Sequence, residues 1–272
     1  MDVPPMSSCA DFLWRTATAT RSASSGKNAG PDSAYAKELA LDDEGDPEAL
    51  PPPHFYAHFL TGALLWAAGE RVATMGWCAQ PDPAHPDAPH VLSVAELARA
   101  AAEAAALSMW LGDEVPAPER LRRLLGVVTA SHDQQKSLRQ LRGAELTSGS
   151  PEEALLAWGQ RNGIRRRRPP NWTTLLRLAD RERGQGDYKR LSAGAHTNLG
   201  LLQFTWLEVV DAQEHSDPGL VQAHTWSTSL TGAYYTLLAC RRRWRLKGRD
   251  HEEVAGLLSE LNRWDRALDG AG

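Results

Sequence analysis

The chain has 272 residues, a hydrophobic fraction of 42% and a formal net charge of −4. That is enough apolar material for one large packed domain, and too little positive charge for a protein that binds nucleic acid over its whole surface. Cys9, Cys78 and Cys240 form no CxxC and no even-numbered framework, which fits a reducing compartment. No signal-peptide pattern opens the chain and no apolar run approaches the roughly 20 residues of a membrane span, so a cytoplasmic protein without a membrane partner is expected.

Residues 1–50 carry nine acids and four bases, a net of −5 that leaves +1 on the rest. With Thr-Ala repeats, a Ser-rich run and the acidic stretch Asp42-Asp43-Glu44-Gly45-Asp46, they show little apolar periodicity and read as a mostly disordered acidic arm. Phe12, Leu13 and Trp14 form its one short docking segment. Residues 51–272 read as a single helical domain with a possible basic insertion at 161–187.

The first helix is expected from about His54 to Cys78, with Phe55, Phe59, Leu60, Ala63, Leu64 and Ala67 at helical spacing. Prolines between 81 and 89 stop it. Ser93-Val94-Ala95-Glu96 matches a capping box and opens a second helix to about Trp110. That helix shows a face of small residues suited to close backbone approach, and Arg99 and Glu103 are spaced to pair across one turn. A third helix runs from Glu119 to about Leu141 with His132 on its apolar stripe. Ser150 and Pro151 sit as N-cap and first residue of a short helix to about Asn162. Arg165-Arg166-Arg167-Arg168-Pro169-Pro170 reads as an exposed loop. A further short helix from Asn171 or Trp172 to about Arg183 is closed by Gly184 and Gly186. Another carries Leu199, Leu202, Trp206, Val209 and Val210. A long helix from Leu220 ends in Arg241-Arg242-Arg243-Trp244-Arg245, and a last amphipathic one starts near Asp250. Nothing alternates at period two for long, so the fold class is all-α, a bundle of about six to eight helices.

The chemistry concentrates in residues 188–199, where a strong base (Arg190), hydroxyls (Tyr188, Ser192), a glycine (Gly194) and an imidazole (His196) occur together. On an unbroken helix Arg190 and His196 stand about 240° apart. A break at Gly194 would let them meet, giving a phosphate fork beside a group that titrates near neutral pH. The alternative is a helix connection with a solvated arginine and a hydrogen-bonded histidine. His54 and His58 are spaced for two metal ligands, but the remaining ligands cannot be named, so no metal and no cofactor is expected. Ser192 and His196 lack an acid to orient the imidazole, which argues against acyl transfer. The two arginine runs, with Trp172 and Trp244 beside them, suit single-stranded nucleic acid; a merely solvated run is an equal reading of the first, and a solvated helix end that complements its dipole is the preferred reading of the second.

These features resemble the HEPN superfamily of nucleotide-binding helical bundles. The pattern Tyr-x-x-Leu-Ser-x-x-x-His falls on Tyr188, Leu191, Ser192 and His196, and Arg99-Ala-Ala-Ala-Glu103, Trp110-Leu111 and Arg120-Leu-Arg-Arg-Leu stand upstream as in bacterial members. Arg190 and His196 fit the superfamily's nuclease spacing of Arg, four to six residues, His. Leu191 departs from it, since nucleases usually place Asn, Asp or His there. The resemblance, over about residues 55–250, implies metal-independent RNA cleavage of toxin or phage-defence type, in a homodimer, with an antitoxin or defence protein as a possible partner. His196 would act as acid or base and Arg190 would stabilise the scissile phosphate, with Glu103, Arg99, Tyr188 and Ser192 in support. Arg165, Arg166, Arg167, Arg168 and Trp172 would bind the nucleic acid. A catalytically inactive module that binds nucleotide, nucleic acid or a protein looks much the same in sequence, and a stand-alone interaction scaffold is the third possibility.

Overall fold

The computed structural model describes residues 6–43, 51–80, 91–142, 150–195 and 218–269. The described residues form ten helices and no strand: α1 (Met6–Ser24), α2 (Ala34–Asp43), α3 (Pro53–Cys78), α4 (Val91–Leu111), α5 (Ala117–Arg142), α6 (Pro151–Arg161), α7 (Trp172–Ala179), α8 (Gly184–Ala195), α9 (Pro218–Leu246) and α10 (Glu252–Asp269). The all-α expectation holds.

The centre is α4, packed between α3 and α9. Its small residues set that geometry: Ala98, Ala101, Ala102, Ala105 and Ala106 are all buried, and a Cβ added to Gly232 of α9 would lie 2.9 Å from Ala98 Cα. Helices α1 and α9 close over α3, α7 and α8 lie on α4, and α10 lies on α9. The main core gathers Phe12, Leu13, Leu65, Met75, Met109, Trp226, Tyr235 and Leu261. A smaller core under α5 and α6 holds Leu111, Leu124, Leu125, Leu155 and Trp158.

The acidic arm is corrected by the structure. Residues 6–24 and 34–43 are helical, and Cys9, Phe12 and Leu13 have no exposed surface. Helix α1 is rich in Ser, Thr and Ala, so it carries no apolar stripe that periodicity detects. Its hydroxyls are satisfied locally, as in Thr20 Oγ1 donating to the Thr16 carbonyl at 2.7 Å, and so can be buried against α3 at little cost. Asp42, expected in the solvated acidic run, caps α3: its carboxylate accepts from the amides of His54 (3.0 Å) and Phe55 (2.7 Å), with Pro53 at the first helical position.

Helix boundaries follow capping chemistry, with two revisions. Ser150 forms the expected capping box, its hydroxyl accepting from Glu153 N and the Glu153 carboxylate from Ser150 N. Helix α4 starts at Val91, so Ser93 lies inside it rather than at its cap. The helix expected over 171–183 ends at Ala179, because Asp180 turns out of helical geometry and its carboxylate accepts from the amides of Glu182 and Arg183. Gly184 and Gly186 therefore begin α8 instead of closing α7. The helix expected around Leu199–Val210 lies outside the described residues.

Candidate functional site

Helix α8 carries the candidate residues on two of its faces. Tyr188 looks toward α4, where Arg99 and Glu103 pair across one turn as their spacing predicts, Nε to Oε1 at 2.9 Å. Arg99 Nη2 is 3.4 Å from the Tyr188 hydroxyl, and its guanidinium lies 5.8 Å from the Tyr188 ring centre. Burial works against the Arg99 charge, but the hydrogen bond and charge of Glu103 outweigh it and raise its affinity for the proton. Ser192 follows Tyr188 by four residues, on the same side of α8, and is half-buried. Thus residues 89 positions apart in sequence share one half-exposed polar cluster.

Arg190 lies two residues from Tyr188 and turns toward α9. Its Nη1 donates to Ser227 Oγ at 2.8 Å, and its Nη2 to Thr231 Oγ1 at 2.6 Å and Asp187 Oδ1 at 3.3 Å. Nearly half of the side chain remains exposed. Asp187 is the buried hub beneath it, accepting from the Tyr235 hydroxyl at 2.9 Å and lying 3.4 Å from Arg183 Nε. Arg183 in turn reaches Asp265 of α10 at 2.6 Å and stacks over Tyr234, whose hydroxyl donates to Asp180 at 2.5 Å. This ladder from Asp180 to Arg190 docks α8 on α9.

Sequence reasoning missed Asp187, Ser227, Thr231 and Tyr235. The i,i+3 spacing of Asp187 and Arg190 was the available signal. The break expected at Gly194 is not seen, since α8 passes through it to Ala195. His196 lies outside the described residues, so the Arg190–His196 geometry is not part of the site described.

The basic elements split. Arg165, Arg166, Arg167 and Arg168 are exposed in the loop before α7, and Trp172 at the first turn of α7 is 37% exposed. The second run is not simply a solvated helix end. Arg243 and Trp244 are buried, and Lys247 beyond them has no exposed surface. Lys247 Nζ donates to the carbonyls of Ala23 (2.9 Å) and Ser25 (2.5 Å), closing the C-terminus of α1.

His54 and His58 are also buried, and among the described residues no three His, Cys, Asp or Glu side chains converge as metal ligands would. Instead His58 Nε2 faces Glu38 at 3.1 Å, and Glu38 also grips Arg120 through two hydrogen bonds of 2.8 and 3.1 Å. His132, expected in the core, is about a quarter exposed and lies 3.5 Å from Glu153. No helix among the described residues is long and apolar enough to cross a membrane. No family model, no curated protein and no solved structure matches the chain.

Proposed function

We propose that this chain is a HEPN-like, metal-independent endoribonuclease of toxin or phage-defence type. His196 acts as the acid or base and Arg190 stabilises charge on the scissile phosphate. The observation that supports this reading most is the convergence of Arg99 and Glu103 of α4 with Tyr188 of α8, three of its four supporting residues. Arg190 adds to it: hydroxyls from Ser227 and Thr231 fix the direction of a guanidinium that is still half exposed, and a preorganised donor is what a developing phosphate charge requires. The reading includes a homodimer, for which the row Phe55, Phe59, Trp66 and Trp77, left exposed along α3, offers apolar surface.

One observation favours a second reading, a non-catalytic module that binds nucleotide, RNA or a protein. Arg190 already spends donors on Asp187, Ser227 and Thr231, as a purely structural arginine would. Cleavage of single-stranded RNA by the purified full-length chain, in the presence of a chelator, separates the two. The nuclease reading expects cleavage that falls by about 10²–10⁴-fold in His196→Ala, with the thermal melt unchanged. Equal cleavage by that variant removes His196 from the mechanism, and binding without cleavage by the wild type establishes the second reading.

A further inference from the structure

The two arginine runs are far apart in sequence, yet a chain of ion pairs joins them. Arg242 of α9 lies 3.8 Å from Asp113, and Asp113 lies 3.6 Å from Arg123 of α5. Arg123 reaches Glu119 at 3.3 Å, and Glu119 pairs with Arg167 of the loop and lies 3.9 Å from Arg122. The loop is seated firmly. Arg167 N donates to the Arg122 carbonyl at 2.8 Å, and a Cβ on Gly126 would fall 1.8 Å from the Arg167 carbonyl oxygen. Arg242 also donates to the carbonyls of Leu178 and Ala179, so α7 spans the gap between the runs with Trp172 at one end and Arg242 at the other. Eight residues of α7 make that span about 12 Å.

The charge on this surface is unbalanced. Asp113 and Glu119 are each shared between two or more arginines, while Arg165, Arg166 and Arg168 on either side of Arg167, and Arg245 one turn along α9 from Arg242, are exposed. Glu119 is held in its charged form: burial opposes this, but hydrogen bonds from Arg167 and Arg123 prevail. Fixed guanidinium forks with an exposed tryptophan beside them match a strand that offers phosphates and free base faces together. A duplex hides its base faces, and an acidic peptide has none.

We propose that this composite surface, built from the 165–168 loop, Arg122, Trp172 and the Arg242–Arg245 edge of α9, binds single-stranded RNA. The proposal deepens the ribonuclease reading and rests on RNA being the substrate. It puts the strand's anchor beyond the C-terminal end of α4, which closes at Leu111 two residues before Asp113, about 18 Å along the helix from Arg99 and about 12 Å from Glu103. Anchor and reacting site are then separate, and they fail separately.

The test uses the full-length protein and a labelled single-stranded RNA of about 12 nucleotides, within the length such a surface covers. Affinity is measured by anisotropy across a salt series for wild type, Arg166→Glu/Arg168→Glu, Arg245→Glu and Trp172→Ala, with Arg263→Glu on α10 as a control. Each surface variant is expected to weaken binding about tenfold or more, and the arginine reversals to flatten the salt dependence by about one phosphate contact each. The control keeps its affinity. If the nuclease reading holds, the surface variants raise KM and leave kcat unchanged. Wild-type affinity in the arginine reversals overturns the surface, as does binding of duplex RNA or of anionic vesicles equal to that of the single strand. Loss of cleavage in His196→Ala with binding retained leaves the surface standing. Normal binding by a wild type that never cleaves overturns only the nuclease.

Discussion

Glu38 holds a buried position that its sequence context, Lys37-Glu38-Leu39 in an acidic segment, gives no reason to expect. Arg120 and His58 both point at its carboxylate, and Arg243 approaches from α9, donating to the His58 carbonyl at 3.0 Å and lying 3.4 Å from His58 Nδ1. An arginine only donates, so Nδ1 must present its lone pair and the neutral imidazole carries its proton on Nε2, toward Glu38. The tyrosine ring of Tyr35 covers Arg243 at 5.0 Å and packs on His58 at 4.4 Å. Burial favours protonating Glu38, but the hydrogen bonds from His58 and Arg120 overcome it and hold the carboxyl below its ordinary range. Its charge is the counterweight to two buried guanidiniums. Glu38→Gln keeps the shape and removes that charge, so it should cost about 3–5 kcal/mol, the usual consequence of leaving a buried ion unpaired. Urea unfolding of wild type and variant measures this. A loss under about 1 kcal/mol would show that the arginines find their balance elsewhere. Arg120→Met in the Glu38→Gln background should then recover part of the loss, since the strongest of the unpaired charges has gone.

At the scale of elements, the positions of α3, α5, α9 and α10 were legible from leucine and aromatic spacing, but the α3 stripe was not its buried face, since Phe55 and Phe59 are exposed while His54, Ala57, His58, Thr61 and Leu65 are buried; Ser150 and Asn171 cap as their types suggest. What escaped was α1, α2 and the α7–α8 turn. In α1 the buried face includes Thr16, Ala17, Ala19, Thr20 and Ala23, residues that a hydrophobic scan counts as neutral although they pack as tightly as leucine. In the α7–α8 turn a single Asp180 makes the break, through bonds to Glu182, Arg183 and Tyr234 that no local pattern announces. The site was legible in the same proportion. The Arg99–Glu103 pair is a one-turn contact and was readable; its meeting with Tyr188, and the seat of Arg190 on Ser227 and Thr231, depend on which helices become neighbours. Because α1 is part of the core, Phe12→Ala should destabilise the whole domain by about 3–5 kcal/mol, as for other fully buried aromatics. Deleting residues 1–43 should abolish a cooperative melt. A truncated chain that unfolds like the full one would restore the picture of a dispensable arm.

For the whole molecule, the ionisable groups of the interior set how stability depends on pH. Burial pushes the His58 imidazole down to about 4, with Arg243 acting in the same direction and Glu38 opposing. His54 is shifted the same way, chiefly by burial, against Asp42 and Glu38. Across the window from 6.5 down to about 4 the unfolded chain therefore takes up protons that the folded chain refuses, and stability must fall as pH falls. The stability tied to a neutral His58 is fully present above 6.5, and on the order of 3 kcal/mol of it is lost by pH 4. Glu38 continues the trend: its folded value lies below 4.5, so the stability it provides is present above that value and is lost as acid protonates it in the native state. Both effects have one sign, and they act where Tyr35, Arg120 and Arg243 converge from α2, α5 and α9, so acid should loosen the junction of these three helices with α3 first. Unfolding free energies from denaturant titrations at pH values between about 7 and 4 check the slope. In His58→Gln, which cannot be protonated, the decline between 6.5 and 4.5 should shrink to the smaller part owed to His54, while the fall below 4.5 persists. A wild-type curve that is flat from 7 to 5 would mean that the native state takes up the His58 proton at the same pH as the unfolded chain. Its Nδ1 proton would then face the Arg243 guanidinium, and the packing of α9 on α3 would have to be wrong at that point.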